Sequence, residues 1–335
     1  MTDSHPSLML LVTGANGFVG KAVLHCLAEL RPGDDRCTLP VVVSAVSRRP
    51  PALPIPRVRY FLVGDLSASI DWAPVLQGVD VLVHAAARVH VMADTATDPL
   101  AEFRRVNVQA TLHLARKSAL EGVKRFVFIS SIGVNGQYTS PSSPFTELNE
   151  VHPHNAYALS KHEAELGLRQ IAADTGMEVV IIRPPLVYGP NAPGNFGTLM
   201  RAVQRGLPLA LALVRNQRSL VALDNLVDFI VTCATHPKAA NQTFLVSDGQ
   251  DLSTPELIHK MAEAAGVPPR LLPVPVWALG AGARLLGKED AVQRLCGNLQ
   301  VDISKARKLL GWTPPISVDE GLRRAAKGFR RETAV

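Results

Sequence analysis

The chain has 335 residues, 47% of them apolar and 19% charged, enough apolar side chain to bury one large core or two smaller ones, which excludes disorder and fibrous repeats. Lys and Arg outnumber Asp and Glu by 35 to 29, but the cations are dispersed, with only doublets such as Arg48-Arg49, Arg323-Arg324 and Arg330-Arg331, a poor footprint for nucleic acid. Cys26, Cys37, Cys233 and Cys296 form no CxxC pair, no apolar run approaches the roughly 20 residues of a membrane span, and Asp3 with no basic cluster is unlike a signal peptide, so a soluble, cytoplasmic chain without disulfide scaffold or membrane insertion is expected.

Six short runs rich in Val, Ile and Leu read as strands: Leu8 to Thr13, Val41 to Val46, Arg59 to Val63, Val79 to His84, Arg125 to Ser130 and Glu178 to Arg183. They are continuously apolar rather than alternating, the pattern of strands covered on both faces, and longer helix-like segments separate most of them. The expected fold is α/β, a Rossmann-type doubly wound parallel sheet. After about residue 190 prolines become frequent, and helical stretches dominate from Thr254. This divides the chain into residues 1–190, holding the sheet, and a smaller, mostly helical region at 191–335, with elements interleaving across the boundary.

The first strand runs into Gly14-Ala15-Asn16-Gly17-Phe18-Val19-Gly20, and Lys21 to Leu30 has helical spacing. A dinucleotide pyrophosphate needs a tight turn, a backbone it can approach and a helix amino terminus with free N–H groups. Gly14, Gly17 and Gly20 meet those needs, with a first interval one residue wider than the common dehydrogenase fingerprint; the competing reading is a merely flexible turn. An acidic residue at the end of the second strand would bond the adenosine ribose of NAD, whereas Arg pairs with a 2′-phosphate. Val46-Ser47-Arg48-Arg49 has no carboxylate, so NADP(H) is preferred and NAD(H) stays possible, since two arginines are also an ordinary solvated loop pair.

Asn155 to Ala173 reads as a helix, on which Tyr157 and Lys161, four residues apart, project together. An ammonium beside the phenol is expected to lower the Tyr157 pKa from about 10 towards the working pH, so that the phenol exchanges protons readily. Lys161 can also bind a nicotinamide ribose. Ser131 ends the fifth strand, where carboxyl ends of parallel strands border the ligand crevice. Its hydroxyl can polarise a carbonyl, or it can simply cap a turn. His84, His90, His113, His152, His154 and His162 show no metal-ligand pattern, and no metal site is expected.

Taken in order, these motifs resemble the extended short-chain dehydrogenase/reductase family, in particular its nucleotide-sugar branch. The resemblance is carried by TGANGFVG at 13–20, Gly64-Asp65-Leu66, His84-Ala85-Ala86-Ala87, Asn107 four residues before Thr111, Ser130-Ser131, Tyr157 with Lys161, and RPPLVYGP at 183–190. It implies cofactor contacts from Phe18 and Val19 in the cradle, from Ser47 and Arg48, from Asp65 and Leu66 at the adenine, from Ala85, Ala86, Ala87 and Asn107, and from Pro184. It also implies that Ser131 works with Tyr157, that the carboxyl-terminal region closes over a nucleotide sugar, and that the helices Pro99 to Leu120 and Asn155 to Ala173 pair in a homodimer. The stretch Arg218 to Asp224 resembles the family segment whose Arg grips UDP phosphates. Arg218 and Asn195 are therefore candidate substrate contacts, although Arg218 can also be a surface arginine.

Ile132-Gly133-Val134-Asn135-Gly136 follows the catalytic hydroxyl, where a 4,6-dehydratase would place an Asp-Glu pair, so dehydration is disfavoured. Two chemistries survive. One is NADPH-dependent reduction of the 4-keto group of a UDP-linked 2-acetamido-2,6-dideoxy-4-ketohexose, as in the enzymes of bacterial surface polysaccharide (O-antigen) synthesis that the whole chain resembles. The other is 4-epimerisation of a UDP-hexose with retained NAD. An enzyme of apolar ketones would need an apolar pocket in place of Arg218 and Asn195. A non-catalytic nicotinamide-sensing or RNA-binding relative would usually lack Tyr157 or Lys161.

Overall fold

The computed structural model describes residues 7–332 apart from 32, 35, 90–97, 286 and 288. In chain order its elements are β1 (Leu8–Thr13), α1 (Phe18–Glu29), β2 (Val41–Ser47), β3 (Val58–Leu62), α2 (Ala73–Leu76), β4 (Val81–His84), α3 (Pro99–Phe103), α4 (Thr111–Leu120), β5 (Arg125–Ile129), α5 (Ala156–Thr175), β6 (Glu178–Arg183) and β7 (Leu186–Tyr188). There follow α6 (Gly194–Gln204), β8 (Leu220–Ala222), α7 (Leu223–Thr235), β9 (Thr243–Leu245), α8 (Thr254–Ala265), α9 (Val276–Leu285), α10 (Glu289–Cys296), α11 (Ser304–Leu310) and α12 (Val318–Glu332).

The main sheet is parallel, in the order β3-β2-β1-β4-β5-β6-β9. Successive side chains leave a strand on opposite faces, so Leu10 and Val12 join the core under α1 and α7, while Leu11 joins the core under α4 and α5. Both faces are covered, which is why the strands are apolar without alternation. The doubly wound sheet expected from the sequence is present. Its strand order reverses between β1 and β4, and the crevice beyond their carboxyl ends is the ligand-binding place of such sheets.

A further core joins Tyr188, Phe196, Met200, Ile258, Leu322 and Phe329 from β7, α6, α8 and α12. Residues beyond 190 also serve the main sheet: α7 packs on α1, and β9 adds the edge strand beside β6. The segment 99–120, a single helix by its spacing, is divided by a π-helical stretch at Arg104–Ala110 between α3 and α4. The wider π turn re-aims the side chains that follow it, and Asn107 lies within it.

Candidate active site

The turn after β1 is built by contact. Gly14 has φ +75°, and a Cβ there would lie 2.8 Å from Ala86 N and 2.9 Å from the Ala85 carbonyl carbon. A Cβ on Gly20 would lie 2.2 Å from the Gly14 carbonyl oxygen. Gly17 is the N-cap of α1, and its N–H donates to Gly14 O at 2.8 Å. No side chain caps this helix and no acidic residue stands in its first turn, so the N–H groups at Phe18 and Val19 keep their positive end open to an anion. A cradle that any Cβ would fill, at the switch point of the sheet, fits a dinucleotide pyrophosphate. Ala85 and Ala86, directly after β4, form its far wall.

At the end of β2, Ser47 Oγ donates to Arg49 O at 2.8 Å, and Asn16 Nδ2 donates to the same oxygen at 2.9 Å. The sequence places no carboxylate here, but the fold brings one. Asp65, from the loop after β3, lies 2.9 Å from Arg48 Nη1, and the guanidinium holds its carboxyl below the usual carboxylate range. The neighbouring Leu66 packs towards the core beneath α4 and α5.

Three elements carry the reacting groups. Ser131 follows β5 and caps the 3-10 turn Ile132–Val134, its Oγ accepting from Gly133 N at 3.1 Å; Ile132 N donates to Pro184 O at 3.0 Å, which ties that turn to the end of β6. Asn155 caps α5, its Oδ1 accepting from Ala158 N at 2.8 Å, so Tyr157 stands in the first turn and Lys161 one turn later. Ser131 Oγ, His154 Cε1 and the Cβ of Ala158 all lie 3.3–3.4 Å from where a Cβ on Gly133 would be. The Ser131 hydroxyl therefore faces the amino-terminal end of α5.

The expected acidification of Tyr157 is not present. Burial pushes the phenol up to about 12 and brings the Lys161 ammonium down to about 7. Lys161 Nζ donates to Ile129 O at 2.8 Å and lies 4.4 Å from the centre of the Phe128 ring. Its interactions are spent on the end of β5, and a lysine that burial favours as neutral exerts little pull on a phenolate. Tyr157 instead meets the edge of Phe103, with ring centres 6.0 Å apart.

Asn107 clamps the loop after Ala87: its Oδ1 accepts from Arg88 N at 2.8 Å, and its Nδ2 donates to Arg88 O and Ser160 Oγ, both at 3.0 Å. Arg218 is largely buried, donates from Nη1 to Gly297 O at 2.8 Å, and is paired through its backbone with Leu252. Asn195 is exposed in the first turn of α6. The fold shows no contact between these two side chains. No metal-sized cluster of three His, Cys, Asp or Glu occurs among the described residues; His90 lies outside them.

Two buried groups have roles that the sequence alone did not show. His84 bridges Thr13 Oγ1 at 2.7 Å and Thr111 Oγ1 at 3.0 Å, and burial lowers its pKa to about 3, so it stays neutral. Glu165 accepts from Ser130 Oγ at 2.6 Å and from Arg183 Nε at 2.9 Å and Nη2 at 2.5 Å, while Arg183 Nη1 donates to Asn135 Oδ1 at 2.8 Å. The signal for Glu165 was its place, one turn beyond Lys161 on the same face.

Residues 10–247 match the model of the NAD dependent epimerase/dehydratase family. The chain is 46% identical over 321 residues to a UDP-glucose 4-epimerase of Vibrio cholerae, covering 96% of this chain and 95% of that protein. It is 27% identical to an N-acetyl-alpha-D-glucosaminyl-diphospho-ditrans,octacis-undecaprenol 4-epimerase of Escherichia coli O157:H7, covering 78% of this chain and 81% of the relative. Among solved structures, MoeE5 in complex with UDP-glucose and NAD superposes with a TM-score of 0.74 at 26% identity, over 97% of this chain and 99% of MoeE5. Among the described residues no helix is long and apolar enough to cross a membrane.

Proposed function

The chain belongs to the NAD dependent epimerase/dehydratase family, and from that premise we propose that it reduces the 4-keto group of a UDP-linked 2-acetamido-2,6-dideoxy-4-ketohexose with NADPH, supplying bacterial surface polysaccharide (O-antigen) precursors. The observation that carries the reductive direction is Arg48 at the adenosine end of the cradle, beside the inward hydroxyl of Ser47. Its partner Asp65 is no obstacle: both side chains are about three-quarters exposed, and such pairs are worth only about 0–1 kcal/mol, so a 2′-phosphate can take the guanidinium.

The turn at Gly14, Gly17 and Gly20 would hold the pyrophosphate, and a bound nicotinamide supplies hydride. The protein's own part is proton transfer. A phenol held near 12 is protonated at neutral pH, as a donor to the nascent alkoxide at carbon 4 must be. The Ser131 oxygen already accepts from Gly133 N, leaving its O–H to donate to the substrate carbonyl. Lys161 stands one turn from Tyr157, with its pKa near neutrality, suited to resupply the proton and to bind the ribose. Residues 191–335 would take the nucleotide sugar, with Arg218 and Asn195 on its diphosphate side. We also propose a homodimer through α4 and α5, whose Leu120 and Leu166 are exposed; sedimentation giving twice the chain mass supports it, and a monomer at micromolar concentration rejects it.

A second reading, UDP-hexose 4-epimerisation with retained NAD, is favoured by the 46% identity to the Vibrio cholerae protein of that name. Purified protein given the 4-keto-6-deoxy UDP-sugar with NADPH or NADH decides between them. Consumption of NADPH with a 4-hydroxy product supports reduction, whereas UDP-N-acetylglucosamine turning into its galacto isomer without added reductant establishes epimerisation. Tyr157→Phe is expected to lower turnover by about 10²–10⁴-fold, with NADPH binding, read by its fluorescence, unchanged. Normal turnover by that variant removes Tyr157 from the reaction.

A further inference from the structure

Two long stretches of the carboxyl-terminal half lack carboxylates: Val179 to Leu223 and Ala264 to Lys288 contain no Asp or Glu, yet both carry arginines. The fold lays parts of them side by side. Leu209 N donates to Arg270 O at 2.8 Å, Leu272 N to Leu209 O at 2.8 Å and Ala212 N to Leu272 O at 3.2 Å. The surface so formed exposes Leu207, Leu213, Leu272, Val276 and Trp277, with Trp277 78% exposed at the start of α9. Arg205 and Arg270, both exposed, stand among them, and a Cβ on Gly206 would lie 3.9 Å from the Arg270 guanidinium. The nearest sequence acids are Glu263, on α8, and Glu289 and Asp290, which open α10.

An exposed apolar surface of this kind marks a contact with a partner or a membrane. The chemistry here selects the membrane. A two-fold contact with a second copy would set arginine against arginine, because residues 205–213 and 270–277 include no Asp or Glu to pair them. A bilayer surface instead offers phosphates to the guanidinium groups and an interfacial layer that suits an indole and short aliphatic side chains. The net charge of +6 adds long-range attraction to an anionic leaflet. We propose that the face formed by residues 205–213 and 270–277 docks on the surface of an anionic phospholipid bilayer, without insertion of a spanning segment. This does not rest on the reaction assigned above.

The test mixes the purified full chain with vesicles of phosphatidylcholine, or of phosphatidylcholine with one-third phosphatidylglycerol, and reads co-sedimentation and tryptophan emission. Trp72 and Trp312 are 0% and 5% exposed, so a change in emission on lipid reports Trp277. Binding is expected only to the anionic vesicles, with a blue shift, and is expected to be lost in about 0.5 M salt. Trp277→Ser, and separately Arg205→Glu with Arg270→Glu, should each weaken partition about tenfold or more with an unchanged thermal midpoint. No binding to anionic vesicles at low salt overturns the proposal, as does equal binding by these variants. A lipid-independent blue shift that grows with protein concentration, together with a doubled mass that Trp277→Ser abolishes, overturns it in favour of a second copy.

Discussion

An ammonium folded into a site as closed as that of Lys161 resists its own charge, and this has a pH signature. Lys161 is 2% exposed, and burial lowers its pKa from 10.5 to about 7. Between those values the unfolded chain binds the proton and the folded one does not, so this group's contribution makes stability rise with pH; below about 7 the full penalty is present. Lys161→Met should therefore gain stability over the parent, most at pH 6 and less at pH 9, read from urea midpoints. The same gain at both values would show that the ammonium is not desolvated. Gly20 is a sharper case, because the obstacle to a side chain is backbone: Gly20→Ala puts a Cβ 2.2 Å from Gly14 O. That variant should lose about 1–3 kcal/mol, as overpacked sites do, and bind NADPH at least several-fold more weakly. Unchanged binding by calorimetry would mean that the turn does not form the cradle. The placement of Tyr157 and Lys161 one turn apart on α5 was legible in sequence because it depends on local spacing alone. The Arg48–Asp65 pair was not, since β2 and β3 must pair before their ends meet.

The elements around the site are tied by one buried carboxylate. Glu165 on α5 bonds Ser130 at the end of β5 and Arg183 at the end of β6, and Arg183 goes on to Asn135. The carriers of Ser131, Tyr157, Lys161 and Pro184 are thereby held in one frame. The Arg183 and Glu165 side chains are 3% and 0% exposed, and a buried pair broken on one side leaves a bare charge, at about 3–5 kcal/mol. Glu165→Met should cost that much in urea unfolding, while Glu165→Met with Arg183→Met should recover most of it, because the second substitution removes the stranded guanidinium. Additive losses would show that the two groups do not act as a pair. The same elements show how far periodicity reaches. β1 and β6 run from Leu8 to Thr13 and from Glu178 to Arg183 as their apolar runs predict, since strands covered on both faces are written continuously in the sequence. The π-helical stretch at Arg104–Ala110 was not legible, because its residues are as helix-compatible as their neighbours and only packing against α5 selects the wider turn. Nor was β9, whose three residues are too short a run to stand out from a loop.

At the scale of the molecule, the division near residue 190 separates the ligand-binding roles we propose more than it separates cores. Phe229 and Ile230 of α7 and Phe244 of β9 lie in the same cluster as Val23 and Leu24 of α1, and Phe229 meets Trp312 with ring centres 4.7 Å apart. The Arg125 guanidinium, at the start of β5, pairs with Glu178 of β6 at 2.7 Å and donates from Nη1 to the carbonyls of Cys233, Ala234 and His236 at 2.9–3.2 Å, so a charge buried in the sheet draws its remaining acceptors from the end of α7. Taking away everything after residue 190 would uncover part of one face of the sheet and leave Nη1 of that guanidinium without its three carbonyl acceptors, both costly changes for a core. Chains of this length often unfold in stages, but the shared core argues for one transition. Urea unfolding of Trp277→Phe proteins should give the same midpoint whether emission comes from Trp72, with Trp312→Phe added, or from Trp312, with Trp72→Phe added, once each is corrected for the stability change of its own substitution. Trp72 sits in the core beneath α4 and α5 and Trp312 in the core shared with α7. Separate midpoints, or a fragment of residues 1–190 that folds cooperatively alone, would show that the sheet does not depend on the segments that return to it.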